Sequence, residues 1–239
     1  MPSSNRTPDS QLLTLLRAIA AGDDARVTRL LAANAGLATE PVRTGASRTA
    51  PAQFFLEQIG HHIYAGDTAL HVAAAAYRAN IARDLVARGA VVRARNRRGA
   101  EPLHYACDGS PGSKRWDPEA QTATIECLIA AGANPNATDR SGVTPLHRAV
   151  RTRSAAAVRS LLDAGAHVRQ RNGSGSTPLH LAVQTTGRSN SGSAEARQQQ
   201  AEIVRLLMAH GARVTDRSAQ GKTVNASASG AWLEELLHG

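Results

Sequence analysis

The chain is predicted to fold as an all-α solenoid of stacked antiparallel helix pairs joined by finger-like loops, and three observations predict it. One phrase occurs four times, as Asp67-Thr-Ala-Leu-His71, Ala100-Glu-Pro-Leu-His104, Val143-Thr-Pro-Leu-His147 and Ser176-Thr-Pro-Leu-His180. A glycine precedes each copy, at Gly66, Gly99, Gly142 and Gly175, and a decayed fifth copy starts at Gly221, so the intervals are 33, 43, 33 and 46 residues. Each phrase is followed by an apolar pair beginning at Leu85, Leu128, Leu161 or Leu207, and then by a Gly-Ala step at Gly89, Gly132, Gly165 or Gly211. Self-similarity at such a period marks units that bury their apolar faces on one another in a row.

The repeat from Gly142 to Ser174 carries no insertion and shows how each unit builds itself. Gly142 can take a positive φ in a tight turn, Thr144 can cap a helix, and Pro145 suits a first turn that needs no amide donor. The first helix is therefore expected to begin at Pro145, with Leu146, Ala149 and Val150 on its apolar face. After a break at Arg153-Ser154, a second apolar set comprises Ala157, Val158, Leu161 and Leu162. Gly165 is expected to end that helix in the left-handed region, and residues 167–174 to run outward as a finger.

This period and the Thr-Pro-Leu-His core resemble the ankyrin-repeat family. The likeness is specific over residues 66–220 and looser at both ends. It implies an ankyrin-type solenoid with β-hairpin-like fingers and a binding surface formed by finger tips and first helices. It also implies that His71, His104, His147 and His180 are structural, bonding near the threonine hydroxyl and neighbouring turns. In the second repeat Glu101 stands where threonine is expected, and its carboxylate is expected to cap in its place.

In chain order, residues 1–8 read as a disordered tail and 9–37 as an amino-terminal capping helix pair. Asp9 would cap a helix containing Leu12, Leu15, Leu16 and Ile19. The segment 38–65 holds both phenylalanines of the chain, Phe54 and Phe55, and is expected to pack on the stack as a short helix. Four repeats follow, at 66–98, 99–141, 142–174 and 175–220, and a truncated capping repeat at 221–239 in which Trp232, Leu233, Leu236 and Leu237 close the stack. Insertions near Gly109–Trp116 and residues 186–200 fall between the two helices of their repeats and are expected to lengthen the second helix. Asp117 followed by Pro118 marks one such early start.

Composition narrows the function. Aromatic residues are 3% of the chain, which suits closely packed thin helices. The formal charge is +9, and only Lys114 and Lys222 of the 28 basic residues are lysines. Two cysteines make no disulfide framework, and Cys107 occupies a position held elsewhere by Ala74, Val150 and Val183, as a small buried thiol would. No signal-peptide pattern or membrane-length apolar run is visible, so a cytoplasmic setting is expected.

Catalytic and metal patterns fail on spacing. Gly221-Lys222-Thr223 imitates the end of a phosphate-binding loop, but Asp216 stands where that loop needs glycine. Gly173-Ser174-Gly175 lacks the spacing of a nucleophile elbow. His61-His62 and His104 with Cys107 lack further zinc ligands at the usual intervals. No catalytic residue, metal site or cofactor is expected, and the chain reads as a non-enzyme.

Position in the repeat instead gives a map of a basic groove. Its expected partner contacts are Arg95, Arg97, Arg98, Tyr105, Arg140, Arg151, Arg169, Arg171 and Arg217, with Asp139 and Asp216 interrupting the positive field. The sharper reading is a monomeric module gripping an acidic protein through arginine forks, because a planar guanidinium engages two carboxylate oxygens at once. The bland reading is a set of solvated loop arginines. Anionic-polymer binding and a regulatory role beside an enzyme are the other classes, and nucleic acid is disfavoured because the fingers carry little aromatic interleaving for base stacking.

Overall fold

A computed structural model describes residues 8–47, 52–109, 116–184, 193–228 and 231–238, except the side chains of Pro8, Asp9, Ser10, Ala231 and His238. The bulk of both insertions, at 110–115 and 185–192, lies outside these residues, as does the tail 1–7. Twelve α-helices are described: α1 (Pro8–Ala21), α2 (Asp24–Ala33), α3 (Ala69–Ala75), α4 (Ala79–Ala87), α5 (Pro102–Ala106), α6 (Pro118–Ala130), α7 (Pro145–Arg151), α8 (Ala155–Asp163), α9 (Pro178–Ala182), α10 (Ala194–Ala209), α11 (Val224–Ser227) and α12 (Ala231–His238). First helices α1, α3, α5, α7, α9 and α11 pack successively, second helices α4, α6, α8, α10 and α12 form a parallel row, and the helices of each pair from α1–α2 to α9–α10 pack on each other. The core is correspondingly one continuous strip from Leu12 to Leu237.

The phrase acts through its caps. Thr144 Oγ1 accepts from the backbone of His147 while the Thr144 amide donates to His147 Nδ1, a reciprocal box repeated at Thr68, Glu101 and Thr177. Glu101 thus takes the threonine's place. Gly142 sits at φ +68°, and a Cβ there would lie 2.8 Å from the backbone nitrogen of Gly173 in the next finger. That glycine is demanded both by its own turn and by the neighbour passing over it. Gly165 ends α8 at φ +83° with open space around it, so conformation alone selects it.

Insertion changes helix length in a regular way. In the two repeats without insertions the first and second helices have 7 and 9 residues, whereas α5 and α9 have 5, α6 has 13 and α10 has 16. Shortening a first helix leaves carbonyls bare at its end. Gln121 and Gln200, each eleven residues before the capping glycine of its repeat, supply the donors: their Nε2 atoms reach Ala106 O at 2.9 Å and Ala182 O at 2.7 Å. Asp117 caps α6 by accepting from the Ala120 amide.

Two local expectations are corrected. Helix α1 begins at Pro8, so Asp9 lies inside the helix and not at its cap. The segment 38–65 packs on the stack, burying Phe54, Leu56 and Ile63, but as 3₁₀ turns and an antiparallel hairpin of β1 (Phe55–Leu56) and β2 (His61–His62). A four-residue link ending in Gly60 at φ +63° closes this hairpin. The segment is tied to the stack by backbone bonds from Val42 N to Asp67 O and from Gly66 N to Val42 O, both 2.7 Å. It is an enlarged finger of the capping pair.

Candidate partner-binding groove

The fingers of the first three repeats are each held by a carboxamide or carboxylate three residues before the next phrase glycine. Asn96 Oδ1 accepts from the amides of Arg98 and Ala100, Asp139 Oδ1 from Ser141 and Val143, and Asn172 Oδ1 from Ser174 and Ser176. Such side chains replace a backbone turn with their own acceptor. Fingers then join tip to tip: Arg97 N donates to Ala65 O, Arg140 N to Arg98 O, and Gly173 N to Ser141 O, at 2.7, 3.0 and 2.7 Å. The Asx–x–x–Gly spacing in the sequence is the signal of this turn.

The four phrase histidines add bonds between repeats. Nδ1 accepts from the capping amide, which places the ring proton on Nε2. Nε2 then donates to the carbonyl of the residue that follows the next phrase glycine: His71 to Ala100, His104 to Val143, His147 to Ser176 and His180 to Lys222, over 3.0–3.2 Å. Burial disfavours imidazolium and lowers the pKa of His71, His104 and His147, for His104 to about 4. Both nitrogens of every ring are occupied.

Two buried polar clusters tie the amino-terminal half together. Asp67 receives Asn96 Nδ2 at 2.8 Å, the Tyr64 amide at 2.7 Å and the Tyr105 hydroxyl at 3.2 Å. Arg148 donates to Asp108 at 2.9 Å and Asp139 at 3.5 Å, with its guanidinium 5.7 Å from the Tyr105 ring centre. Burial and the Asp67 carboxylate push the Tyr105 hydroxyl pKa up. Tyr105 is 2% exposed, so the expectation that it touches a partner is corrected. Reading its position in the repeat as surface assumed an open groove, whereas His61 of the hairpin packs edge-on against its ring at 4.3 Å.

The remaining predicted contacts are exposed, but their guanidinium groups differ. Arg95 donates to Gly99 O and Thr138 O, Arg97 to Ala46 O, Arg98 to the Tyr64 hydroxyl, Arg169 to Asp216 and Arg217 to Gly221 O. Arg97 and Arg98 also lie 5.3 and 5.1 Å from the Tyr64 ring centre. Among the described residues, Arg140, Arg151 and Arg171 have no hydrogen bond or ion pair from their side chains. The acidic interruptions are engaged: Asp139 by Arg148 and two amides, and Asp216 by Arg169 and the Arg213 amide.

Among the described residues no group of three or more histidine, cysteine, aspartate or glutamate side chains is placed to hold a metal, and no helix is long and apolar enough to cross a membrane. Burial pushes the Cys107 thiol pKa up, the opposite of an activated nucleophile.

Helix pairs stacked through capped first helices, with fingers bonded tip to tip, define a repeat protein of the solenoid class. The chain belongs to the ankyrin-repeat family: the ankyrin-repeat model matches residues 65–97, 98–140 and 174–219, and the model for multiple ankyrin repeats matches 128–182. Ankyrin repeats are generally protein–protein interaction modules and typically non-enzymatic. No curated protein matches the chain.

Proposed function

We propose that this chain binds a protein partner noncovalently, taking an acidic segment on the arginine row of its fingers and first helices. One observation carries the reading: exposed arginines line successive fingers, while the carboxylates of the same fingers are turned inward onto Arg148 and Arg169. Such an edge offers donors with few competing acceptors, and guanidinium matches carboxylate geometry. The working form in this reading is a monomer in a cytoplasmic setting with no cofactor or catalytic residue, and Arg95, Arg97, Arg98, Arg140, Arg151, Arg169, Arg171 and Arg217 are its contact candidates.

Calorimetric titration with a twelve-residue glutamate peptide and a single-stranded oligonucleotide of equal charge tests it. Saturable binding of the peptide, exceeding that of the oligonucleotide, is the expected result. Tighter oligonucleotide binding, with a log-affinity slope of about −0.7 per neutralised phosphate against log salt, would move the function to nucleic acid. Binding of neither would leave the arginines as solvated loop residues.

A further inference from the structure

The residue six places after each phrase glycine, Val72, Tyr105, Arg148 or Leu181, lies on one side of the row of first helices. Arg148 reaches Asp139 in a finger, so this side faces the groove. In the first three repeats the position is buried, at 1, 2 and 8% exposure, whereas Leu181 is half-buried. The cover over the amino-terminal half is the chain's own enlarged finger: His61 lies on Tyr105, Ala46 O holds Arg97, and Tyr64 holds Arg98. The fit is not saturated, because His61 Nε2 is buried there with no hydrogen-bond partner.

Beyond the cover the chemistry changes. Arg140 stands in the finger of the second repeat and Arg171 in that of the third, and these two fingers are joined by the Gly173–Ser141 backbone bond. Arg151 ends the first helix between them in sequence, beside a small cavity lined by Leu181 and Gln184. Of the eight exposed arginines predicted as contacts, these are the three that donate to nothing within the described chain, and the carboxylate of the second finger, Asp139, is already engaged.

We propose that the enlarged finger, through Ala46, His61 and Tyr64, is a built-in occupant of the amino-terminal half of the groove, and that an acidic segment of a protein partner seats beyond it on Arg140, Arg151 and Arg171. This rests on the acidic-partner reading and assigns it a place. The enlarged finger sets a boundary that a partner segment meets, and the segment is recognised by carboxylates spaced to reach two fingers and one helix end.

The full-length chain is titrated with the twelve-residue glutamate peptide, and the arginine side-chain Nε–Hε resonances are followed by NMR, assigned through single Arg→Lys variants. The expected result is movement of the Arg140, Arg151 and Arg171 signals, with the Tyr64 and Ala46 resonances unmoved. The R140E/R151E/R171E variant is expected to lose at least about tenfold in affinity while keeping its unfolding midpoint within a few degrees, since exposed charges contribute little to folding. Unchanged affinity of that variant, or displacement of the 52–63 hairpin signals by the peptide, overturns the assignment. Absence of any peptide binding overturns the acidic-partner reading beneath it.

Discussion

At the scale of single residues, a repeated histidine is distinguished from a reactive one by where its two nitrogens go. His147 accepts from the Thr144 amide and donates to Ser176 O, so truncation leaves the buried Thr144 amide unpaired and takes from Ser176 O one of its two donors, the other being Asn172 N. His147→Ala is expected to cost about 1–3 kcal/mol in denaturant unfolding, with peptide binding per folded molecule nearly unchanged. The same environment makes stability acid-sensitive. With its pKa lowered from 6.5 to about 4, His104 binds fewer protons folded than unfolded. Its contribution is therefore complete above about pH 6.5, declines as pH falls toward 4, and is flat below; about 2 kcal/mol is lost by pH 5. Thermal unfolding between pH 7 and 4.5 checks this, and His104→Gln is expected to flatten that part of the profile. These histidines are legible because they recur at one position of the phrase, three of them three residues after a threonine. Tyr105 was misread because position in a repeat records only the unit's own geometry, and the residue that covers it, His61, lies in a segment outside the period.

At the scale of elements, period and cap chemistry place helix starts closely, as at Pro145 and Pro118, because each start needs a donor-free residue behind a side-chain acceptor. The enlarged finger was harder to read. Phe54, Phe55, Ile59 and Ile63 fit helical spacing as readily as a hairpin, two-residue strands give no alternation, and the informative signal was Gly60 at the turn. Gln121 gave no signal by composition, yet it joins three elements: its Nε2 closes Ala106 O, and its Oε1 accepts from Ser154 Oγ at 2.7 Å and from the Trp116 indole at 3.0 Å. Gln121→Leu keeps the bulk and removes every one of these bonds. A loss of about 2 kcal/mol is expected, with the buried Ser154 hydroxyl and Ala106 carbonyl left to find other partners. Denaturant unfolding of this variant beside an exposed control, Gln198→Leu, separates the bonds from the change in polarity.

At the scale of the molecule, a stack transmits stability only between neighbours, so its cooperativity is set by its weakest interface. Between the second and third repeats that interface contains an ion cluster, with Arg148 of α7 held by Asp108 beyond α5 and by Asp139 of the finger. Removing the cation leaves two carboxylates facing a partly closed groove, and such one-sided deletions are more damaging than replacement of a whole pair. Arg148→Met is expected to cost about 3 kcal/mol and, more tellingly, to divide one unfolding transition into two. The chain supplies its own reporters, since its two tryptophans lie on opposite sides of this interface: Trp116 bonds to α6, and Trp232 lies on α12 beside α10. In the otherwise native chain, Trp116→Phe and Trp232→Phe variants are expected to report coincident urea midpoints. With Arg148→Met added, the midpoint reported by Trp116 is expected to separate from that reported by Trp232. Coincident midpoints in the presence of the full stability loss would show that the cluster contributes energy without joining the halves, and would place the coupling in the finger-to-finger backbone bonds and the histidine bridges instead.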